Sequence, residues 1–169
     1  QEYKYNSGIT YKDSQGNDQK GAYTYVYKYG DQTVDPFTGG VLHITTTGHG
    51  TDIFGNSTTT TTWIDQTVIK GKLVTTWTKS KTDSTDILGN STVSWSETNY
   101  NYKWKLKGSD AEVPEGTKDA FYVLDTVTTK SWSTGTDLYG GSWHTDPYTI
   151  TQEYKYNSGI TYKDSQGND

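Results

Sequence analysis

The chain has no cysteine, no methionine and no arginine, and only 3 prolines in 169 residues. Without cysteine there is neither a disulfide framework nor thiolate chemistry. Without arginine every basic group is one of 15 lysines, and the bidentate fork that recognises phosphate and guanine is missing. Together with a net charge of −5 and a pI near 5.1, this argues against nucleic acid as a partner. No run approaches 18 apolar residues, so no transmembrane helix is expected. Long aliphatics are scarce as well. Val, Ile, Leu and Phe make up 26 residues, short of the rough one-fifth level below which disorder becomes a concern. Disorder is nonetheless not expected, because the chain carries 15 Tyr, 6 Trp and 31 Thr. Aromatic and β-branched residues are enriched in strands and depleted from disordered chains. Tyr and Trp each bury a large area while keeping a polar tip. The composition therefore predicts a thin, aromatic core in one or two stacked sheets.

What the chain does contain is a long-range repeat. QEYKYNSGITYKDSQGND, residues 1–18, returns without change at residues 152–169, a period of 151 residues. Self-similarity at a fixed period is the mark of repeat architectures. The first residue is Gln, and Asp169 falls within a turn pattern. The expectation is a window from a longer tandem array, with residues 1–151 one complete unit and 152–169 the start of the next. The alternative is an engineered duplication that supplies a spare strand.

Between the two copies the pattern alternates with period two, as half-buried strands do. Tyr3, Tyr5, Ile9 and Tyr11 share one parity, and Tyr23, Tyr25, Tyr27 and Tyr29 form the cleanest strand. These two strands are predicted to pair as an antiparallel hairpin carrying a tyrosine ladder. Residues 30–40 read as a loop from their Pro and Gly content. Further strands are expected near residues 41–47, 58–68, 73–80, 92–106 and 121–133, with a loop over 108–120 that alone has room for a helical turn. In the 92–106 strand Val93 and Trp95 lie on one parity, whereas Tyr100, Tyr102, Trp104 and Leu106 lie on the other. This predicts either a bulge near 97–99 or a strand contacting both faces. From Tyr148 and Ile150 to Tyr154, Tyr156, Ile160 and Tyr162 the parity runs unbroken across the repeat boundary. Continuous strand, rather than a linker, is expected there.

Four turns share one form: DSQGND from Asp13, DIFGNS from Asp52, DILGNS from Asp86 and DLYGGS from Asp137. Asp opens such a turn by accepting backbone N–H bonds, and Gly supplies a positive φ at the fourth position. This is the chemistry of a type I turn followed by a left-handed residue. The fold class that follows is all-β, with long antiparallel hairpins of about eight strands per 151-residue unit, each strand roughly 10–17 residues, in a continuous tandem-repeat array. The D-x-x-G-N turns between Tyr- and Thr-rich strands, with YKDSQGNDQKGAYTYVYKYGD over residues 11–31, resemble the YD (Rhs-type) repeats of giant bacterial surface and toxin proteins. Those repeats form spiralling antiparallel sheet. The spacing here is longer and less regular, and two turns lack a second Y-D. The resemblance implies architecture and an extracellular or cell-surface location, not an activity.

Candidate sites are few. Asp13, Asn17 and Asp18 are the nearest approach to a Ca²⁺ loop, but the D-x-[DN]-x-[DN]-G pattern is absent and turn capping explains them. His43, His49 and His144 have no metal-ligand spacing. No nucleophile–base order or carboxylate pair marks a catalytic site, so no enzyme and no cofactor are expected. Trp63, Trp77 and Trp95 are candidates for stacking on sugar rings; with so few aliphatics, Trp63, Trp77, Trp95, Trp104, Trp132 and Trp143 also read as core. The Thr runs at 45–47 and 58–62 invite comparison with hydroxyl arrays that order water, yet two runs are what β-propensity alone provides. Asn56 and Asn90 sit in N-S-T sequons on turn tips, open to glycosylation. The functional expectation is a structural extracellular repeat protein that forms a stalk, fibre or filament with an adhesive or scaffolding role, its partners being neighbouring units of its own kind. The alternatives are a carbohydrate-binding β module and a closed eight-stranded barrel.

Overall fold

Asp and Gly at fixed places in the turns, and alternating Thr and aromatics between them, leave the backbone one economical solution: long antiparallel strands. The computed structural model describes residues 2–5, 10–12, 18–20, 23–35, 39–69, 71–106 and 109–156, with side chains from residue 26 onward. Among the described residues there are eleven strands: β1 (Glu2–Tyr5), β2 (Thr10–Lys12), β3 (Asp18–Lys20), β4 (Tyr23–Tyr29), β5 (Gln32–Val34), β6 (Val41–Thr51), β7 (Ser57–Ile69), β8 (Lys72–Thr85), β9 (Ser91–Leu106), β10 (Ala120–Thr136) and β11 (Ser142–Glu153). Three sheets form, in the orders β1-β4-β5, β2-β3 and β11-β10-β9-β8-β7-β6. The all-β antiparallel fold is as expected. The strand count is higher than about eight, because the first hairpin is divided into short strands and β5 lies within the stretch read as loop. No helix occurs among the described residues, the 109–119 loop included. Nor is there one long and apolar enough to cross a membrane.

The chain divides into two compact units, residues 1–99 with 129–149, and residues 100–128 with 150–169. In the first, β1 pairs with β4 so that Tyr3 faces Tyr25 and Tyr5 faces Tyr23, the antiparallel pairing of the two tyrosine strands that the sequence predicts. β2 and β3 pair from Thr10↔Lys20 to Lys12↔Asp18. The DSQGND turn lies outside the described residues, apart from Asp18 in β3. β4 turns through Gly30 and Asp31 into β5, with Tyr29 opposite Gln32. Gln32 then replaces a missing strand along the edge of β6: its Nε2 donates to the His43 carbonyl at 2.6 Å and its Oε1 accepts from the His43 N–H at 2.7 Å. Tyr29 adds a hydroxyl bond to the Thr45 carbonyl at 2.7 Å. Side chains thus occupy part of an edge that would otherwise invite pairing with another chain.

The ladders β6–β7, β7–β8 and β8–β9 run in register over most of their length. Of the two alternatives for β9, the bulge near 97–99 is not seen against β8, since Glu97 and Asn99 face Lys79 and Trp77 without a shift, which leaves the strand that contacts both faces. The irregularity is on β8 instead: Asp65 faces Trp77 but Gln66 faces Thr75, leaving Thr76 as the extra residue, its hydroxyl 3.3 Å from the Asp65 carbonyl. The parity change along β9 coincides with the passage from the first unit, which holds Trp95, to the second, which holds Tyr102 and Trp104.

Apolar burial is slight. Among the described residues, Val26, Val34 and Leu42 are the buried hydrophobic side chains of the first unit, and Val127 of the second. β7, β8 and residues 91–99 contain no buried residue. Trp143 lies flat on Gly135, where an added Cβ would collide with the indole. All of β11 is exposed. Tyr148, Ile150, Tyr154 and Tyr156, expected as a covered face, are 58%, 55%, 40% and 38% exposed; the first two lie on the last strand of the sheet, which has one neighbour, and the other two lie beyond its end. β11 is also where Pro147 is tolerated, as edge strands allow. β11 crosses from Thr151 into Gln152 and Glu153 and ends there; Tyr154–Tyr156, expected to continue the strand, do not, their backbone bonds going to Asp125, Asp110 and Lys105 instead, and residues from 157 onward lie outside the described residues.

Three of the four Asp-Gly turns are described, and in each the Asp carboxylate does the same work. Asp52 Oδ1 accepts from the N–H groups of Phe54 and Asn56, both at 2.9 Å, and Oδ2 accepts from Asn56 Nδ2 at 2.7 Å. Asp86 repeats the pattern with Leu88 and Asn90. Gly55, Gly89 and Gly140 hold φ near +90°, +91° and +84°, the left-handed residue of the predicted turn type. The Asn side-chain bond, followed by the backbone N–H bonds, holds the Asp52 and Asp86 carboxyls below the ordinary value near 3.8, against a smaller opposing effect of burial. A carboxyl lowered by folding stabilises the fold above its unfolded pKa, and that stabilisation is lost as pH falls through the folded one. Asp52→Asn and Asp86→Asn are therefore expected to lower the melting temperature at pH 7. The gap from the parent chain should close as pH is taken below about 4, which thermal melts followed by circular dichroism across pH 2–8 would show.

Candidate functional site

The cross-strand register sorts the first unit's side chains onto two unlike faces. Directly opposed residues, and residues two apart on one strand, share a face. Rows Thr45–Trp63–Lys79–Glu97, Thr47–Thr61–Lys81–Trp95 and His43–Asp65–Trp77–Asn99 therefore lie together. The three tryptophans singled out from sequence are on this one face, on three successive strands. Trp77 Nε1 donates to Glu97 Oε1 at 2.8 Å. Trp95 stacks on Trp132 with ring centroids 6.1 Å apart and planes inclined by 12°. Lys79 and Lys81 lie 5.1 and 5.5 Å from the Trp95 ring, and Lys130 lies 5.7 Å from that of Trp132. The π faces of Trp95 and Trp132 thus already have partners in one another and in lysine ammoniums.

The opposite face carries hydroxyls. Its rows are Thr46–Thr62–Ser80–Ser96, Gly48–Thr60–Thr82–Ser94 and Gly50–Thr58–Ser84–Thr92. Thr60 bonds Thr82 at 3.1 Å, Thr98 bonds Thr129 at 3.0 Å and Ser133 bonds Thr145 at 3.0 Å. A shallow groove of about 360 Å³ passes over Ser80, Thr82, Ser94, Ser96 and Ser133. Alternate residues of the two Thr runs, Thr46, Thr58, Thr60 and Thr62, thus belong to a larger array completed by serines on neighbouring strands.

At the turns the same unit forms a ladder that the sequence reading missed. Asn56 Oδ1 accepts from the Ile87 N–H of the next turn at 3.2 Å, and Asn90 Oδ1 from the Leu138 N–H at 2.9 Å. Gly141 ends the series, because it stands where the other turns have Asn and has no side-chain amide to reach a neighbouring turn. Asn56 and Asn90, the sequon residues, therefore tie one turn to its neighbour, with Nδ2 on an Asp carboxylate and Oδ1 on an adjoining backbone. The two residues between Asp and Gly point outward in every described turn. Ile53, Phe54, Ile87, Leu88, Leu138 and Tyr139 are all at least 55% exposed, making an apolar ridge of the kind that marks an interaction surface. The signal was in plain sight: I-F, I-L and L-Y occupy positions where turns usually carry polar residues.

The second unit is organised around a buried lysine. Lys105 is 6% exposed. Its Nζ is 2.7 Å from Asp125 Oδ1, 3.8 Å from Asp110 Oδ1 and 3.3 Å from the Tyr154 carbonyl, and lies 5.6 Å from the Tyr156 ring. Lys103 reaches Glu112 at 3.0 Å and Asp125 at 3.5 Å. The hydrogen bond from Lys105 holds the Asp125 carboxyl below its ordinary pKa, with burial opposing and the charges of Lys105 and Lys103 adding. Glu112, then Asp125, raises the Lys103 ammonium. The backbone closes the arrangement: the Tyr154 N–H donates to the Asp125 carbonyl at 2.8 Å, and the Tyr156 N–H donates to Asp110 Oδ1. Tyr102 stacks on Tyr122 at 5.8 Å, with Trp104 beside it at 5.1 Å. Burial, followed by the neighbouring tyrosines, raises the Tyr102 hydroxyl's pKa. Residues 153–156 of this cluster are the opening EYKY of the second repeat copy.

The remaining candidates do not converge. Asp13 and Asn17 lie outside the described residues, and Asp18 is known only as backbone in β3. His43 bonds Asp65 at 2.7 Å, His49 bonds Thr59 at 3.1 Å and His144 is 3.7 Å from Asp146. Among the described residues no group of three or more His, Asp or Glu side chains is placed to hold a metal ion.

Removing Lys105 leaves the Asp125 charge in a poorly hydrated site. Lys105→Ala is expected to cost about 3 kcal/mol, toward the low end for a buried pair because Asp125 keeps some solvent; Lys105→Met combined with Asp125→Leu should recover most of it. Urea titrations of the three proteins test this. In a double-mutant cycle, Trp95→Ala and Trp132→Ala should show a coupling of about 1 kcal/mol.

No protein-family model, curated protein or solved structure matches this chain.

Proposed function

We propose that this chain is a structural unit of an extracellular tandem-repeat protein, and that its units join into a stalk, fibre or filament with a scaffolding or adhesive role. The observation that carries the reading is the treatment of the repeat boundary. β11 passes through residues 151 and 152 as strand, and Lys105, Asp110 and Asp125 hold the first residues of the second copy. A flexible linker between independent domains has no need of a buried ion pair at its start. The apolar ridge of turn residues supplies a second surface suited to adhesion or lateral association. Self-association through neighbouring units, and a place on the cell surface, follow from this reading together with the resemblance to YD repeats.

Carbohydrate binding is the second reading, favoured by the gathering of Trp63, Trp77 and Trp95 on one face. Against it, the rings of Trp95 and Trp132 are engaged by one another and by lysines. A chain of three consecutive 151-residue units distinguishes the two. Electron microscopy is expected to show a rod that lengthens by a constant step per unit. Beads on flexible connections, with glycan binding abolished by Trp63→Ala, Trp77→Ala and Trp95→Ala together, would establish the carbohydrate module instead.

A further inference from the structure

The same tetrapeptide, EYKY, occurs in two settings, and each shows one edge of it in use. At residues 2–5 it pairs with β4, in the register Glu2↔Val26, Tyr3↔Tyr25, Lys4↔Thr24 and Tyr5↔Tyr23. At residues 153–156 it lies against the Lys105 cluster: the Tyr154 N–H and carbonyl go to Asp125 and Lys105, and the Tyr156 N–H goes to Asp110. In extended backbone the N–H and C=O of one residue point to one edge and those of the next residue to the other. Tyr154 and Tyr156 therefore turn their backbone groups toward the cluster, and Glu153 and Lys155 turn theirs outward. β11, the terminal strand of its sheet, ends at Glu153, and residues 154–156 run on from it outside any ladder, so their outward edge is where an added strand would join.

We propose that the outward edge of residues 153–156 is a docking edge for the segment Tyr23–Val26 of a second copy of this chain. The partner is identified by sequence identity: β4 already accepts EYKY in a defined register at residues 2–5, and residues 153–156 present the same four side chains and the same backbone. Glu153 would face Val26 and Tyr154 would face Tyr25 of the arriving copy, whose own residues 2–5 are displaced. Exchange replaces each β1–β4 pairing with one of the same composition, and the incoming EYKY keeps its Lys105 and Asp125 contacts. Domain swapping has a low cost for this reason. Because each copy carries one donor edge and one acceptor strand, the association is head to tail, and the rotation between copies decides whether it extends as a filament or closes as a ring. EYKY becomes the shared strand of the joint, gripped by the Lys105 cluster of one copy and by β4 of the next. This deepens the self-association reading given above and rests on it.

The chain has no cysteine, so introduced thiols are the only ones. Tyr25→Cys with Tyr154→Cys, oxidised in the otherwise full-length chain, is expected to give a ladder of disulfide-linked chains that grows with protein concentration. Tyr3→Cys with Tyr25→Cys, the control, should close within one chain under dilute conditions. A control that closes beside a Tyr25→Cys, Tyr154→Cys variant giving no linked chains would overturn the joint. Lys155→Pro provides a second measurement that needs no cysteine. It removes an outward N–H while leaving the Tyr154 bond to Asp125 in place, and should abolish assembly by sedimentation without changing the circular dichroism spectrum. Assembly equal to that of the unsubstituted chain would overturn the proposal. If the unsubstituted chain assembles yet the variant with thiols at positions 25 and 154 does not link, the joint is wrong and the filament reading stands. If the unsubstituted chain sediments as a monomer at every concentration and nothing links, both fail.

Discussion

From Ser57↔Thr85 to Ile69↔Lys72, β7 and β8 face each other residue by residue with a single interruption at Thr76, and β6 and β9 extend the ladder on either side. That backbone pairing is what the structure depends on. Apolar burial is too small to take its place: the buried hydrophobic side chains among the described residues are four, Val26, Val34, Leu42 and Val127. Apart from their ends, the residues of β7 and β8 are half-covered, none of them buried. Threonine suits this environment, since its branched carbon packs on the pleat and its hydroxyl finds a partner across the strands. The Asp-Gly turns are as necessary as the strands, because they fix where each ladder begins. Through Asn56 and Asn90 they also bind each turn to its neighbour.

A sheet held in this way leaves surfaces free for other purposes. In the first unit one face carries tryptophan, lysine and carboxylate, the other serine and threonine, and the turn ends carry Ile, Phe, Leu and Tyr. The two terminal strands are treated differently. β6 has Gln32 and Tyr29 bonded to its backbone, whereas β11 is exposed along its whole length. An edge guarded on one side and open on the other is the asymmetry that a directional assembly requires. The second unit places Lys105, the one buried charge among the described residues, against the start of the second repeat copy. In a chain otherwise poor in buried groups, that choice of location supports a role at the junction.

Much of this was legible in the residues. Period-two alternation located β4 and β6 to β11, and the D-x-x-G spacing located the turns and their left-handed glycines. Other features depended on partners that a linear reading does not supply. β5 was hidden because Gln32, Thr33 and Val34 are too few to show alternation next to Pro36 and Gly39. A bulge was one of two expectations for β9, where the aromatic parity changes, but the bulge lies on β8 at Thr76, where no parity signal exists. Tyr148 and Ile150 have the pattern of a covered face, and only the strand order shows that they sit on an edge. The grouping of Trp63, Trp77 and Trp95 on one face and the hydroxyl rows on the other follow from register, which turn lengths determine and composition does not. The Lys105 cluster joins residues nearly 50 positions apart, and nothing in the spacing of Lys105, Asp110, Asp125 and Tyr154 announces it.

Site-resolved amide hydrogen exchange by NMR tests most directly whether strand pairing, rather than a core, holds the chain. Protection should be high throughout β7 and β8, including Thr58–Thr62 and Ser80–Asp83, even though no side chain there is buried. Protection limited to the surroundings of Val26, Val34, Leu42 and Val127, with rapid exchange across β7 and β8, would contradict it.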